Sequence, residues 1–437
     1  MKIQDLRSQY GLIPQVDTFM KTQENDSIRT IFLQGLMGSA SPMFFASVAQ
    51  KLKKTVLFIL QDADEAGYFY NDLQALMGSG AANDDKPDIK VQFFPSTYRR
   101  AVKYGQKDAA NEILRTEVLA TLSAKKEGTS LYIVTHPEAV AELVVSQSHL
   151  DERRVSLRAG HTVDLSDLER RLRDLGFSQT DYVYEPGQFA VRGSILDVYS
   201  FSCELPFRID FFGDEVDTIR TFTVEDQLSK DRKTEVEIVP ELSKNNTKRI
   251  PFLQFLPKDT LLVGRDMEFA CGIVDSIYNE GFSAQALAER LDDDTEMEHE
   301  RIRREMTKES ALCTATQFAV DVEKFHIVEF GQQAKNTPQV SIPFNITPQP
   351  LFHKNFTLLR QSLEDYLLQG YRLYILADSQ KQQQRLRDIF DEMGIDKERS
   401  VVDAQRSGIE FTPVDRTIHE GFTDNDLKAC FFTDHQI

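Results

Sequence analysis

The chain has 437 residues, with 51 Lys and Arg against 69 Asp and Glu, for a formal net charge of −18. At about 150 residues per domain this length holds roughly three domains, and 41% hydrophobic with 27% charged residues excludes a fibrous or wholly disordered chain. So acidic a body repels phosphate backbones, which excludes nucleic-acid binding spread over the whole surface and leaves only a local basic strip.

Residues 1–145 alternate between α and β patterns. An apolar strand at 31–34 precedes a glycine-containing turn, helical spacing resumes over 42–52, and TVLFIL at 55–60 reads as a buried strand followed by a helix at 65–77. Strands at 91–94 and 131–135 flank a helix at 108–123. This spacing predicts a mainly parallel sheet covered on both faces.

From about residue 151 the texture changes. Leu165, Leu168, Leu172 and Leu175 line one side of a helix that Gly176 ends. Strand-like segments at 188–199 and 207–212 follow, with a turn at Gly213-Asp214, so an α+β unit is inserted into the α/β scheme. Strands at 260–263 and 325–330 are expected to return the chain to the first sheet. Between them, 289–308 is dense in both charge signs and predicts a solvated helix with i,i+4 pairs.

Residues 331–350, with Pro338, Pro343, Pro348 and Pro350, read as a linker. Beyond it, a helix at 356–368, a strand at 371–377 and a helix at 379–393 make a further small α/β unit. The sequence stops inside the apolar run CFFTDHQI, as expected of a cut chain.

Cofactor chemistry finds little support. The N-terminal segment has no apolar core of signal-peptide length, and no run of about 18 apolar residues marks a membrane span. Cys203, Cys271, Cys313 and Cys430 are far apart, without a CxxC pair, and the eight histidines are scattered without HExxH. Glu298-His299-Glu300 falls in the charged stretch, where solvation explains it. A zinc site, a disulfide framework and metal catalysis are therefore not expected, and the cysteine usage suits a reducing cytoplasm.

The most suggestive local motif runs from Gly35 through Gly38 to Pro42 (GLMGSASP), after a strand and before a helix, where a phosphate loop of the form GxxxxGK[ST] would sit. Such a loop needs a glycine at its sixth position, a lysine on the outer phosphates and a hydroxyl on magnesium. Ala40, Ser41 and Pro42 hold those three places. Nucleotide binding is not expected there. Asp62 and Asp64 superficially suggest a magnesium-binding run, but capping of the helix near Glu65 accounts for them. Arg99, Arg100, Lys103 and Lys107, with Tyr98 and Tyr104, form a basic–aromatic strip that could track a nucleic-acid backbone, although an exposed loop and helix start explains it more simply.

Strand alternation in PFRIDFF sends Phe207, Ile209 and Phe211 to one face and Arg208, Asp210 and Phe212 to the other. The preceding segment places Phe189, Val191 and Ile195 inward and Arg192 and Ser194 outward, with Gly193 a candidate bulge. If the two strands pair, Arg192, Arg208 and Phe212 share one solvent-facing surface of the kind that makes protein–protein hot spots. Two alternatives stay open: Phe212 covered by the fold, and arginines paired with Asp210 or Asp214.

The runs YEPGQFAVRGSILDVY (184–199), PFRIDFFGDEVDTIR (206–220) and Gln227-Leu228-Ser229 resemble the UvrB-like, N-terminal module of the bacterial transcription-repair coupling factor family. The resemblance covers the chain in order and implies four units: 1–145, domain 1a of a degenerate RecA/helicase-like sheet; 146–238, the inserted α+β domain 2; 239–345, domain 1b returning to the first; and 346–437, a species-variable α/β domain 3. It implies a non-catalytic module with no cofactor, whose domain 2 docks UvrA, the damage-recognition ATPase of nucleotide excision repair, through Arg192, Arg208 and Phe212. RNA polymerase and DNA are engaged by parts of the family that this chain lacks, as is the C-terminal domain that covers the UvrA-binding face. The strip at 96–107 is more basic than the family pattern, and no role is assigned to it or to domain 3. The competing functional classes are an NTP-dependent helicase or translocase working at Gly35 and a module that binds DNA directly through 98–107.

Overall fold

The computed structural model describes residues 1–78, 89–97, 109–125, 128–242, 249–280, 308–353, 355–394 and 410–437. The basic–aromatic strip at 98–107 and all but the last residue of the charged stretch at 289–308 lie outside them. Among the described residues no helix is long and apolar enough to cross a membrane, no cluster of His, Cys, Asp and Glu could hold a metal ion, and the four cysteines are free thiols.

Seven parallel strands form the largest sheet, in the order Val340–Pro343, Thr30–Gln34, His326–Gly331, Leu261–Gly264, Thr55–Ile59, Leu131–Thr135 and Lys90–Phe94. Period-2 alternation splits each apolar run between two cores. Val56 and Phe58 enter the core under helices Ile3–Tyr10, Pro14–Gln23, Ala40–Leu52 and Ala63–Met77, while Leu57 and Ile59 enter the core under Ala109–Ala124 and Met267–Glu280. Leu261–Gly264 lies between Thr55–Ile59 and His326–Gly331, in parallel register with both, so the chain re-enters this sheet after an excursion of more than a hundred residues.

That excursion contains a six-stranded sheet in the order Ser229–Lys233, Glu215–Phe222, Phe207–Phe212, Ile195–Val198, Gln188–Arg192 and Ser178–Gln179. Helix Leu165–Asp174 lies against one face. Asp164 caps it by accepting from Ser166 N at 2.8 Å and Asp167 N at 3.0 Å, and Gly176 leaves it at φ 92°. Leu168 and Leu172 meet Phe189, Leu196, Val198, Ile209, Phe211 and Ile219 in one apolar core.

A five-stranded sheet follows: Ile346–Pro348, Phe422–Asp424, Ala429–Thr433, Arg372–Leu376 and Thr412–Val414. Its Tyr374, Phe422 and Phe431 share a core with Ile3 and Tyr10. Tyr10 meets Phe431 edge-on at 5.8 Å between ring centroids and donates to Asp424 Oδ2 at 3.2 Å. This unit and the first sheet are thus one packed body.

The segment expected to be a linker carries two strands. Val340–Pro343 pairs with Thr30–Gln34, and Ile346–Pro348 pairs with Phe422–Asp424. Both are edge strands, where proline's missing N–H removes no ladder bond, so a proline-rich segment can still be β structure.

Candidate partner-binding surface

The six-stranded sheet keeps Phe207, Ile209 and Phe211 in its core and turns Arg208, Asp210 and Phe212 to the other face. The 188–199 segment differs from expectation. It is a hairpin rather than one bulged strand: Gly193 and Ser194 form a two-residue loop, Arg192 pairs with Ile195, and Gly193 takes φ 62°. Phe207–Phe212 and Glu215–Phe222 are joined in the same manner by Gly213-Asp214, with Gly213 at φ 62°. Positive φ at the first loop residue is readily supplied by glycine and matches the twist of a tight hairpin.

The first hairpin brings Asp197 opposite Arg208 in the ladder. Leu196 and Val198 point into the core, so parity sends Asp197 to the outer face, where it is nevertheless only 1% exposed. Two guanidinium groups cover it. Arg208 Nε and Nη2 each donate to a different Asp197 oxygen at 2.8 Å, and Arg192 Nη2 donates to Asp197 Oδ2. Each arginine is held further. Arg208 Nη1 donates to Gln227 O at 2.9 Å and its guanidinium lies 4.4 Å from the Phe222 ring centre. Arg192 Nη1 donates to Asp181 O at 3.1 Å, with its guanidinium 4.9 Å from the Tyr182 ring centre. The charged bonds from Asp197 raise the Arg208 pKa above its ordinary value, so it stays cationic throughout the physiological range.

Arg192 and Arg208 therefore meet on one carboxylate, and Phe212 stands at the far end of the strand, about 13 Å from Arg208 by strand rise. Phe212 is 83% exposed, which excludes its burial by the fold. Neither arginine pairs with Asp210 or Asp214; Asp210 instead binds Arg220 and Thr218. Tyr182, Tyr184 and Leu228 are further exposed apolar residues of this domain. Sequence reasoning missed Asp197. Its signal was a lone acid within the apolar strand Ile195-Leu196-Asp197-Val198, at a parity shared with arginines on both neighbouring strands.

The loop at Gly35 has a different character. Gly35 takes φ 83°, and a Cβ there would lie 2.2 Å from the Phe344 carbonyl oxygen. Gly38, at φ 51°, faces the Glu420 carboxylate, 2.7 Å from where its Cβ would be. Ala40, Ser41 and Pro42 are buried in the first turn of helix Ala40–Leu52, where proline is tolerated. Ser39 Oγ donates to Asp72 Oδ2 at 2.5 Å and accepts from Glu420 N at 2.8 Å. His419 N donates to the other Asp72 oxygen at 2.7 Å, and the His419 ring stacks on Tyr68 at 3.6 Å. A phosphate loop offers N–H donors to an anion. Here Ser39 and Asp72 present acceptors to the N–H groups of a peptide turn.

Burial pushes the Asp72 carboxyl up to about 6 and lowers the His419 pKa. The adjoining cavity, about 320 Å³, is lined by Asp62, Asp64, Glu65, Asp72 and Glu420. Arg265, which also lines it, is bonded to Glu65 at 3.0 Å. Asp62 caps helix Ala63–Met77 through Asp64 N and Glu65 N at 3.0 and 2.9 Å, the capping role expected of it.

Residues 155–243, which hold this whole face, match the family model of the UvrB interaction domain. The transcription-repair-coupling factor of Bacillus subtilis is 27% identical over 236 residues, covering 52% of this chain and 19% of that protein. The resemblance to the N-terminal module of this family holds. The Staphylococcus aureus USA300 protein of the same name is 20% identical over 374 residues, covering 74% of this chain and 32% of its own length. The Escherichia coli K12 protein is 28% identical over 137 residues, 31% of this chain and 12% of that protein. The matched region is thus less than a third of the length of each of these relatives. The multidomain α/β arrangement agrees with such a module.

Proposed function

We propose that this chain is a non-catalytic recruitment module. Residues 146–238 dock UvrA through Arg192, Arg208 and Phe212, linking stalled transcription to nucleotide excision repair, while the helicase-like body (1–145 and 239–345) with the unit at 346–437 serves as scaffold. The observation that carries this reading is one face of the sheet that holds two guanidinium groups clamped on a buried carboxylate, Arg192 one-third and Arg208 15% exposed, and, further along the strand, an 83% exposed phenylalanine. A large aromatic held in water at the end of a rigid strand contributes little to folding. Burial against a partner would recover its apolar area, and rigid arginine and aromatic anchors lose little entropy on docking.

Chemistry at the Gly35 loop supports the same reading. Replacement of the lysine and magnesium hydroxyl positions, together with an acidic lining, disfavours any triphosphate. Titration of UvrA tests the docking face. Arg208→Ala or Phe212→Ala should weaken binding by about 2 kcal/mol, close to thirtyfold, with melting temperature retained. Unchanged affinity in a folded variant would refute the assignment. A calorimetric titration with Mg-ATP should give no binding heat, and a saturable signal would restore the motor reading.

A further inference from the structure

We propose that Asp197 is the positioning residue of this docking face: it makes no contact with the partner itself, but presents Arg192 and Arg208 as one preorganised unit. This rests on the reading of the face given above.

The carboxylate is 1% exposed and lies in the ladder directly opposite Arg208, so its place is set by backbone pairing rather than by a flexible stem. It bonds both arginines, and the Gln227 and Asp181 carbonyl groups take a further N–H from each. Five N–H groups of the two guanidinia are thereby committed inward, which fixes the direction of the remaining donors. The arrangement also solves an electrostatic problem. Two like charges brought onto adjacent positions repel, and a buried carboxylate between them offsets that repulsion where solvent screening is weak. An asparagine has nearly the same shape, but it supplies no charge, and its NH2 would meet a guanidinium donor, so at least one of the three bonds that Asp197 accepts is lost.

The test is a mutant cycle read by UvrA titration. Asp197→Asn should lower affinity by about tenfold or more, although the residue is covered in the free chain. In an Arg192→Ala/Arg208→Ala background the same substitution should change affinity by less than about twofold, because nothing is left to position. A further loss in that background would show that Asp197 acts only through the stability of the domain and would overturn the proposal. So would native affinity for Asp197→Asn when the double arginine variant binds weakly. If the double arginine variant itself binds like the native chain, the docking face is wrong and the inference falls with it. Should Asp197→Asn fail to fold alone, the triple variant Asp197→Ala/Arg192→Ala/Arg208→Ala removes all partners of the buried charge together and keeps the comparison available. The triple variant should match the double arginine variant in affinity; a clear difference between them would again contradict the proposal.

Discussion

The outer face of the six-stranded sheet and the loop at Gly35 both set polar groups on a tight, glycine-bearing framework, yet they spend them in opposite ways. At the loop, Ser39 and Asp72 accept the N–H groups of Glu420 and His419 and Phe344 closes over Gly35, while the buried Ser41 Oγ has no hydrogen-bond partner. On the sheet, the charged groups are satisfied from below by Asp197 while the apolar anchor Phe212 is left in solvent. Sealed polar groups contribute to the fold. A rigid surface with an unburied aromatic leaves binding energy to be gained from a partner.

The comparison can be broken most severely at its glycines. Gly35→Ala combines a positive φ with a backbone atom 2.2 Å from the new Cβ, and should cost about 3 to 4 kcal/mol of stability by denaturant titration. Gly213→Ala has the same sign of φ, but nothing within 4 Å of the new Cβ. It should cost only about 1 to 2 kcal/mol. Equal losses would mean that the loop is no more tightly covered than the hairpin.

Next comes pH. Asp72 is raised from 3.8 to about 6 in the folded chain, because burial disfavours its charged form. The folded state therefore holds a proton that the unfolded chain releases, and stability falls as pH rises from about 4 to 6, by up to about 3 kcal/mol. Asp424, Glu329 and Asp434 are shifted in the same direction, so the informative quantity is the difference between native and Asp72→Asn. That variant should have a flatter profile of melting temperature against pH. An identical profile would show that Asp72 does not titrate where its burial implies.

Much of this was legible in the sequence. The buried run at 55–60 and the alternation of PFRIDFF depend only on local period, and both produced the expected faces. What escaped reading depends on pairing between distant positions. Asp197 could be placed under the arginines only once 188–199 was known to turn back at Gly193. The contact of Glu420 with Ser39 joins residues 381 positions apart, and no local pattern announces it. Proline content misled at 331–350, because edge strands accept a residue that central strands reject.

A smaller pair of substitutions sharpens the contrast. Phe212→Ala should change stability by no more than about 0.5 kcal/mol, as expected of an exposed position, while weakening UvrA binding. Ser39→Ala should do the reverse, costing about 1 kcal/mol of stability for the lost hydrogen bonds with UvrA affinity unchanged. Loss of UvrA binding in Ser39→Ala would place the partner at the wrong region.

Hydrogen exchange of the whole chain with and without saturating UvrA compares the two regions in one measurement. Slower exchange on the strands at 188–222, with no change at 35–42 or 416–421, is the expected result. Protection at the Gly35 loop with the 188–222 sheet unaffected would contradict the account.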